Sequence, residues 1–208
     1  MIFDYVLKLM SNPNQKALGM SLNDCHIKGC FSLVIDGEFN DVGDLKHGTL
    51  TRVFIATKKI KPFDIQFHSH RYDLSIGVVS GCFEHHIAEK DYSHHFYDGH
   101  SVKIKEFEYK SPLNGGTGLK ENGVGVFKIK SNQVPVGAEL YLPHDLIHTV
   151  SASKGTIWIV KEHGFVSDSS VVLGTSFQTE GLYNKPEQFQ VNDMFTLVYD
   201  KLKKLGKV

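Results

Sequence analysis

From about residue 27 the chain becomes a succession of short runs rich in β-branched and aromatic residues, among them CFSLVIDG, LTRVFIAT, LSIGVVSG, SVKIKEFEYK and GTIWIVKEHG, separated by Gly, Asn, Asp and Pro. This pattern predicts an all-β middle. Alternation is clean in Val102-Lys103-Ile104-Lys105-Glu106-Phe107, with one apolar and one charged face, as on a half-solvated antiparallel strand. Strands of that kind build a sandwich or a barrel. The stretch from Ser111 to Gly125, with Pro112, Asn114-Gly115-Gly116 and Asn122-Gly123, reads as a long turn or mobile insert within the sheet.

The two ends read differently. Ile2, Phe3, Val6, Leu9 and Met10 share helical spacing, and Ser11-Asn12-Pro13 supplies a stop, which predicts a helix over about 2–10. At the other end Asn192 is an N-cap candidate and Phe195, Val198, Leu202 and Leu205 fall on one helical face, predicting a packing helix over about 192–205. No linker composition or repeat divides the 208 residues, so one domain is expected.

Charge offers no partner: 23 Lys+Arg balance 23 Asp+Glu. A protein working through phosphates carries a basic surplus, and the only basic cluster here is Lys201, Lys203, Lys204 and Lys207, which complements a helix C-terminus. Nucleic acid is therefore disfavoured. Three cysteines, Cys25, Cys30 and Cys82, are too few for a disulfide framework and read as buried or idle thiols in a reducing compartment. MIFDYVLKLM lacks a basic n-region, and no run of 18 apolar residues occurs, so the expectation is a cytoplasmic protein with no membrane partner.

Histidine is the anomaly, with 12 in the chain, grouped as His68/His70, His85/His86, His94/His95 and His144/His148. His68-Ser69-His70 follows the apolar run Asp64-Ile65-Gln66-Phe67, read here as a strand, and residues two apart on a strand share a face. Such a triplet is weak evidence alone, because about 0.7 are expected by chance at this His content. The segment GAELYLPHDLIHTV is sharper: Gly137, five residues, Pro143, four residues, His148 has a chance expectation of about 0.03.

In order and spacing these residues resemble the two motifs of the cupin superfamily. The first motif places two histidines as His-x-His, a Glu a few residues on and a Gly after six more; His68, His70 and Gly81 match, with Leu74 where the Glu would stand. The second motif is matched by Gly137, Pro143 and His148, with Asp145 replacing its inner Gly. Pro62 stands at the opening Gly of the first motif, and Ala152 at a position usually Asn in the second. The resemblance spans roughly residues 62 to 152.

What the resemblance implies is a cupin-type antiparallel β-barrel or jelly roll, flanked by the two helices, holding a divalent transition metal on His68, His70 and His148. Alternate residues of each strand reach a barrel interior, so a His-x-His and one distant His can converge there. Neutral imidazole suits Fe, Ni, Cu, Co or Zn better than Mg or Ca, which prefer oxygen. Leu74 cannot ligate; Asp73, one residue away, is the alternative carboxylate if the turn Arg71-Tyr72-Asp73 places it inward. A three-histidine ferrous site resembles those of thiol dioxygenases within the cupins. A neutral ligand set leaves the ion its full charge and favours an anionic substrate.

Around that site, Arg71 and Tyr72 are candidates to anchor a carboxylate and polarise oxygen, and His144 is a candidate acid-base group. Of the adjacent His85 and His86 only one can face the interior, and that one, or Glu84, is expected near the ion. His94 and His95 are expected in solvent and Trp158 in the core. The function expected is a mononuclear non-haem iron dioxygenase-like enzyme acting on a small anionic or thiol-containing metabolite. Two alternatives stay open: an isomerase or hydrolase using Zn, Ni or Mn as a Lewis acid, and a non-catalytic small-molecule-binding cupin. A homodimer through an edge strand near residues 27 to 36 or 51 to 58 is also expected.

Overall fold

The computed structural model describes residues 1–23, 29–62, 64–92, 101–111, 116–174 and 191–206, with backbone alone at 191 and 192, and about half of these residues are in strands. The strands are β1 (Leu22–Asn23), β2 (Cys30–Asp36), β3 (Thr51–Ala56), β4 (Tyr72–Ser80), β5 (Phe83–Lys90), β6 (Ser101–Lys110), β7 (Gly118–Val134), β8 (Glu139–Leu142), β9 (His148–Ala152), β10 (Ile157–Phe165) and β11 (Ser170–Gly174). Helix α1 (Ile2–Ser11) precedes them and α3 (Val191–Leu205) follows. A single helical turn, α2 (Gln15–Leu18), was not expected from the sequence; the Asn14 side chain caps it, accepting from the Ala17 N–H at 3.1 Å.

All described ladders are antiparallel and form two curled sheets, ordered β1-β2-β3-β10-β4-β8 and β11-β6-β7-β5-β9. This is the jelly-roll, cupin-like architecture that the sequence implied. The two faces of the first sheet divide by residue parity. Leu33, Ile35, Val53, Ile55, Val79, Ile157 and Ile159 pack under α1 and α3, meeting Ile2, Val6, Val198 and Leu202. Helix α1 comes so close at Gly77 that a Cβ there would lie 2.6 Å from the Ile2 side chain. The opposite face carries Phe54, Leu74, Ile76, Val78 and Trp158, and meets Phe83, Val134, Val150 and Ala152 of the second sheet. Trp158, 2% exposed, is core as expected, its ring centroid 5.4 Å from Phe54 and 5.5 Å from Phe83.

The second sheet closes through a short segment outside any strand. His68 exchanges backbone hydrogen bonds with His148 on β9, both at 2.9 Å, while Phe67 O accepts from Leu173 and Ser69 N donates to Val171 O on β11. Pairing therefore runs from β11 through β6, β7, β5 and β9 and back by way of residues 67–69. The run from Asp64 to Phe67, read as a strand, is irregular, and only His68 makes bridges.

Two further expectations are corrected. Residues 118–125 are not a turn or insert but the first half of β7, paired with β6 across an irregularity between Glu106 and Phe107, so the alternation read as clean over 102–107 is interrupted at Glu106. Residues 51–56 are not a sheet edge, because β3 lies between β2 and β10; β2 itself is covered on its outer side by the two residues of β1. Cys30 is buried and Cys82 exposed. Cys25, His26, His94, His95, Lys207 and the Asn192 side chain lie outside the described residues. No described helix is long and apolar enough to cross a membrane.

Candidate metal centre

Both sheets change character toward the same end of the space between them. On β4 the interior positions run from Val78 through Ile76 and Leu74 to Tyr72, and on β9 from Ala152 through Val150 to His148. The apolar floor thus ends where the histidines begin. His68, His70 and His148 each bring one ring nitrogen to within 4.8 Å of the others, and no other metal-capable trio occurs among the described residues. Their ring centroids are 4.7 to 5.4 Å apart.

The nitrogens are presented as ligands. His68 Nδ1 lies 2.7 Å from Gln66 O, and a carbonyl only accepts, so the proton sits on Nδ1 and the Nε2 lone pair is free. His148 Nδ1 lies 3.0 Å from His85 Nε2; the tautomer that donates there leaves His148 Nε2 as an acceptor, 2.9 Å from His70 Nε2. Two imidazole nitrogens each about 2.1 Å from one ion and at right angles would be about 3.0 Å apart, so the spacing fits a shared ion. His70 is set by its backbone, its N–H donating to His144 O at 2.8 Å.

Electrostatics keeps the cluster neutral. Burial holds His148 well below the ordinary imidazole range, reinforced by His68, His70 and His85. Burial, then His68, pushes His70 down to about 2, and burial, then His86, lowers His85 to about 4. Burial also lowers His68. Neutral imidazole is the ligating form, so little proton release opposes an ion at neutral pH.

The other sequence candidates separate. His85 is the member of its pair that faces the cluster; His86 is on the opposite face, between Ser131 Oγ at 2.7 Å and Ser151 Oγ at 2.9 Å, with Glu84 accepting from Ser151. Tyr72 stacks on His70 with centroids 5.8 Å apart, as a residue lining the site should. Arg71 lies at its margin, its guanidinium 5.0 Å from the Phe165 ring centroid. Asp73 does not replace the motif Glu: Tyr72 and Leu74 share the interior parity, so Asp73 points outward and accepts from Tyr141 Oη at 2.5 Å and His144 N at 2.8 Å. Those bonds hold it below the usual carboxylate range. His144 is likewise diverted, its ring on Asp73 at 3.2 Å, and serves His70 through its carbonyl instead of acting at the cluster.

Beside Tyr72 lies a polar group that sequence reasoning missed. Glu162 of β10, 7% exposed, accepts from Gly48 N–H at 2.5 Å and interacts with the Tyr72 hydroxyl and Leu50 backbone. Burial raises it, against the pull of Arg52. Burial, then the Glu162 charge, raises Tyr72, so the phenol stays protonated. His47 is pushed down to about 4 by burial and by Arg52 and Arg71. The signal was available: Arg52 shares the parity of Phe54 and Ala56, and Glu162 that of Trp158 and Val160, charges on an otherwise apolar phase.

No protein-family profile and no curated protein matches the chain. Among solved structures it is similar to Fe(II) HppE, at 12% identity and a TM-score of 0.33, covering 78% of this chain and 56% of that one. It is also similar to Fe(II)-HppE with the alternative substrate (S)-1-HPP, at 10% identity and 0.31 over 65% and 50% of the two chains. A third is E. coli ycfD, at 14% identity and 0.29 over 76% and 39%. The chain thus spans between 39% and 56% of the length of these structures.

Proposed function

We propose that the chain is a mononuclear metal protein of cupin type, holding a divalent transition ion, with Fe(II) favoured, on His68, His70 and His148, and acting as a dioxygenase-like enzyme on a small anionic or thiol-containing metabolite. The observation that carries this reading is the convergence of three neutral imidazoles within 4.8 Å, two of them oriented by a partner on the other ring nitrogen. When bound, a ferrous ion would supply Lewis acidity and an electron for dioxygen chemistry. Everything else falls to the chain. His85 orients the His148 ring through its Nδ1, and when it accepts the Nδ1 proton it leaves Nε2 free to ligate; the His144 carbonyl holds the His70 backbone, and Tyr72 stacks on the His70 ring. Leu74, Ile76 and Val150 form an apolar floor that limits water access from below.

Element-resolved metal analysis of the full chain, purified without an affinity tag and loaded anaerobically, tests the reading. The expected result is about one iron per chain, with His70→Ala and His148→Ala losing it. Failure to bind iron, or unchanged metal content in His148→Ala, overturns it. An oxygen-uptake screen with thiols and keto acids then tests the chemistry. The same three imidazoles also suit Zn or Ni, so tight retention of zinc without oxygen uptake would favour the isomerase or hydrolase reading.

A further inference from the structure

Strand β3 carries one charged residue on its interior face. Arg52 lies across from Val160 and shares the phase of Phe54, so its side chain enters the space between the sheets. Arg52 is half-buried and its charge acts on Glu162, yet its Nε is buried and has no hydrogen-bond partner among the described residues, which is costly for a polar N–H. The neighbouring acceptor is Glu162, and its carboxylate is engaged by Gly48 N–H, by the Leu50 backbone and by the Tyr72 hydroxyl. Arg52 is left as an unused donor beside a carboxylate spent elsewhere. Arg71 acts on the same surroundings, since both guanidinium charges reach His47 and Tyr72. Two cations and one carboxylate thus act on Tyr72, whose ring stacks on His70.

We propose that Arg52, with Arg71 beside it, is the binding site for the oxyanion group of a small ligand, a carboxylate or a phosphate-type group, whose other end reaches the three-histidine centre. The guanidinium fork matches both oxyanions, and a ligand oxygen would satisfy the orphaned N–H. Glu162 is a positioning residue here: its carboxylate is engaged by the Tyr72 hydroxyl and the Gly48 backbone, and it meets Arg52 by charge without bonding its Nε. The proposal rests on the metal-centre reading only for the far end of the ligand; capture of the oxyanion needs no metal ion.

The test uses the full chain freed of metal by a chelator and titrated separately with succinate and with inorganic phosphate, ionic strength being held constant with potassium chloride. Calorimetry and thermal shift read binding. At least one of the two should bind saturably, with Kd weakened about tenfold or more in Arg52→Gln and by less in Arg52→Lys, which keeps the charge but loses the fork. Tighter succinate binding assigns a carboxylate ligand, and tighter phosphate binding a phosphate-type one. Should Arg52→Gln fail to fold, Arg52→Lys still has to weaken binding. Absence of saturable binding of either anion in the millimolar range, or variants that bind like the parent, overturns the proposal. His148→Ala, measured in parallel, should bind the anion as the parent does, which keeps failure of the metal centre distinct from failure of this site.

Discussion

At the scale of residues, the histidine cluster makes two predictions. His85→Ala removes the only described partner of His148 Nδ1, so the ring loses its fixed tautomer while all three ligands remain. Metal affinity should fall about 10- to 100-fold in a chelator-competition titration, with far less change in the overall fold. An unchanged affinity would show that His85 merely fills space. The second concerns acid. Unfolded imidazoles protonate near pH 6.5, whereas the folded values lie lower, at about 4 for His85 and about 2 for His70. Below pH 6.5 the unfolded chain therefore binds more protons than the folded one, so this stability is present in full above that value and is lost as pH falls toward the folded values. For metal-free protein the unfolding free energy from urea titrations should be level between about pH 8 and pH 7 and fall by about 1.4 kcal/mol per pH unit per buried imidazole below 6.5. A midpoint unchanged at about pH 5 would mean that the rings are not buried as neutral groups. His68, His70 and His148 were legible because their spacing to Gly81, Gly137 and Pro143 is rare. Arg52 and Glu162 were not read, because a charge on an apolar phase is informative only once the phase that faces inward is known. Asp73 was misplaced for the same reason: β4 already begins at Tyr72, and that one residue decides which face Asp73 takes.

At the scale of elements, Gly81 shows what a motif glycine does physically. It links β4 to β5 with φ +91°, and a Cβ there would lie 2.5 Å from Thr156 Oγ1. Gly81→Ala should lower the unfolding free energy, read from the urea midpoint at constant m-value, by at least about 1–2 kcal/mol, the cost of left-handed backbone alone. Turns and strand cores of this kind were readable from sequence, as β2, β3, β4, β6 and β10 fall on the runs that predict them. The β6/β7 hairpin was not: Asn122-Gly123, which reads as turn chemistry, sits inside a 17-residue strand, tolerated where the ladder is irregular. The four-residue α2 is too short to carry a periodic signal, and only its cap distinguishes it.

At the scale of the molecule, neither sheet is built from one stretch of chain. The first takes β1 to β4, β8 and β10, the second β5 to β7, β9 and β11. Interleaving of this kind predicts one cooperative unfolding transition rather than two, seen as coincident fluorescence and circular-dichroism melts. An ion bound only by the folded state should raise that transition, by about 2.7 kcal/mol at a free concentration 100 times Kd. The shift should vanish in His148→Ala. The ring that closes through residues 67–69 has a further consequence in time. Ser69 Oγ accepts from Val171 N, a partner 102 residues away, and His68 meets His148 in the same closure. Contacts so distant along the chain form late, after loop-closure entropy has been met. During synthesis the first two histidines leave the ribosome long before their anchors exist, so His68, His70 and His148 can converge in this geometry only once the chain has emerged past β11.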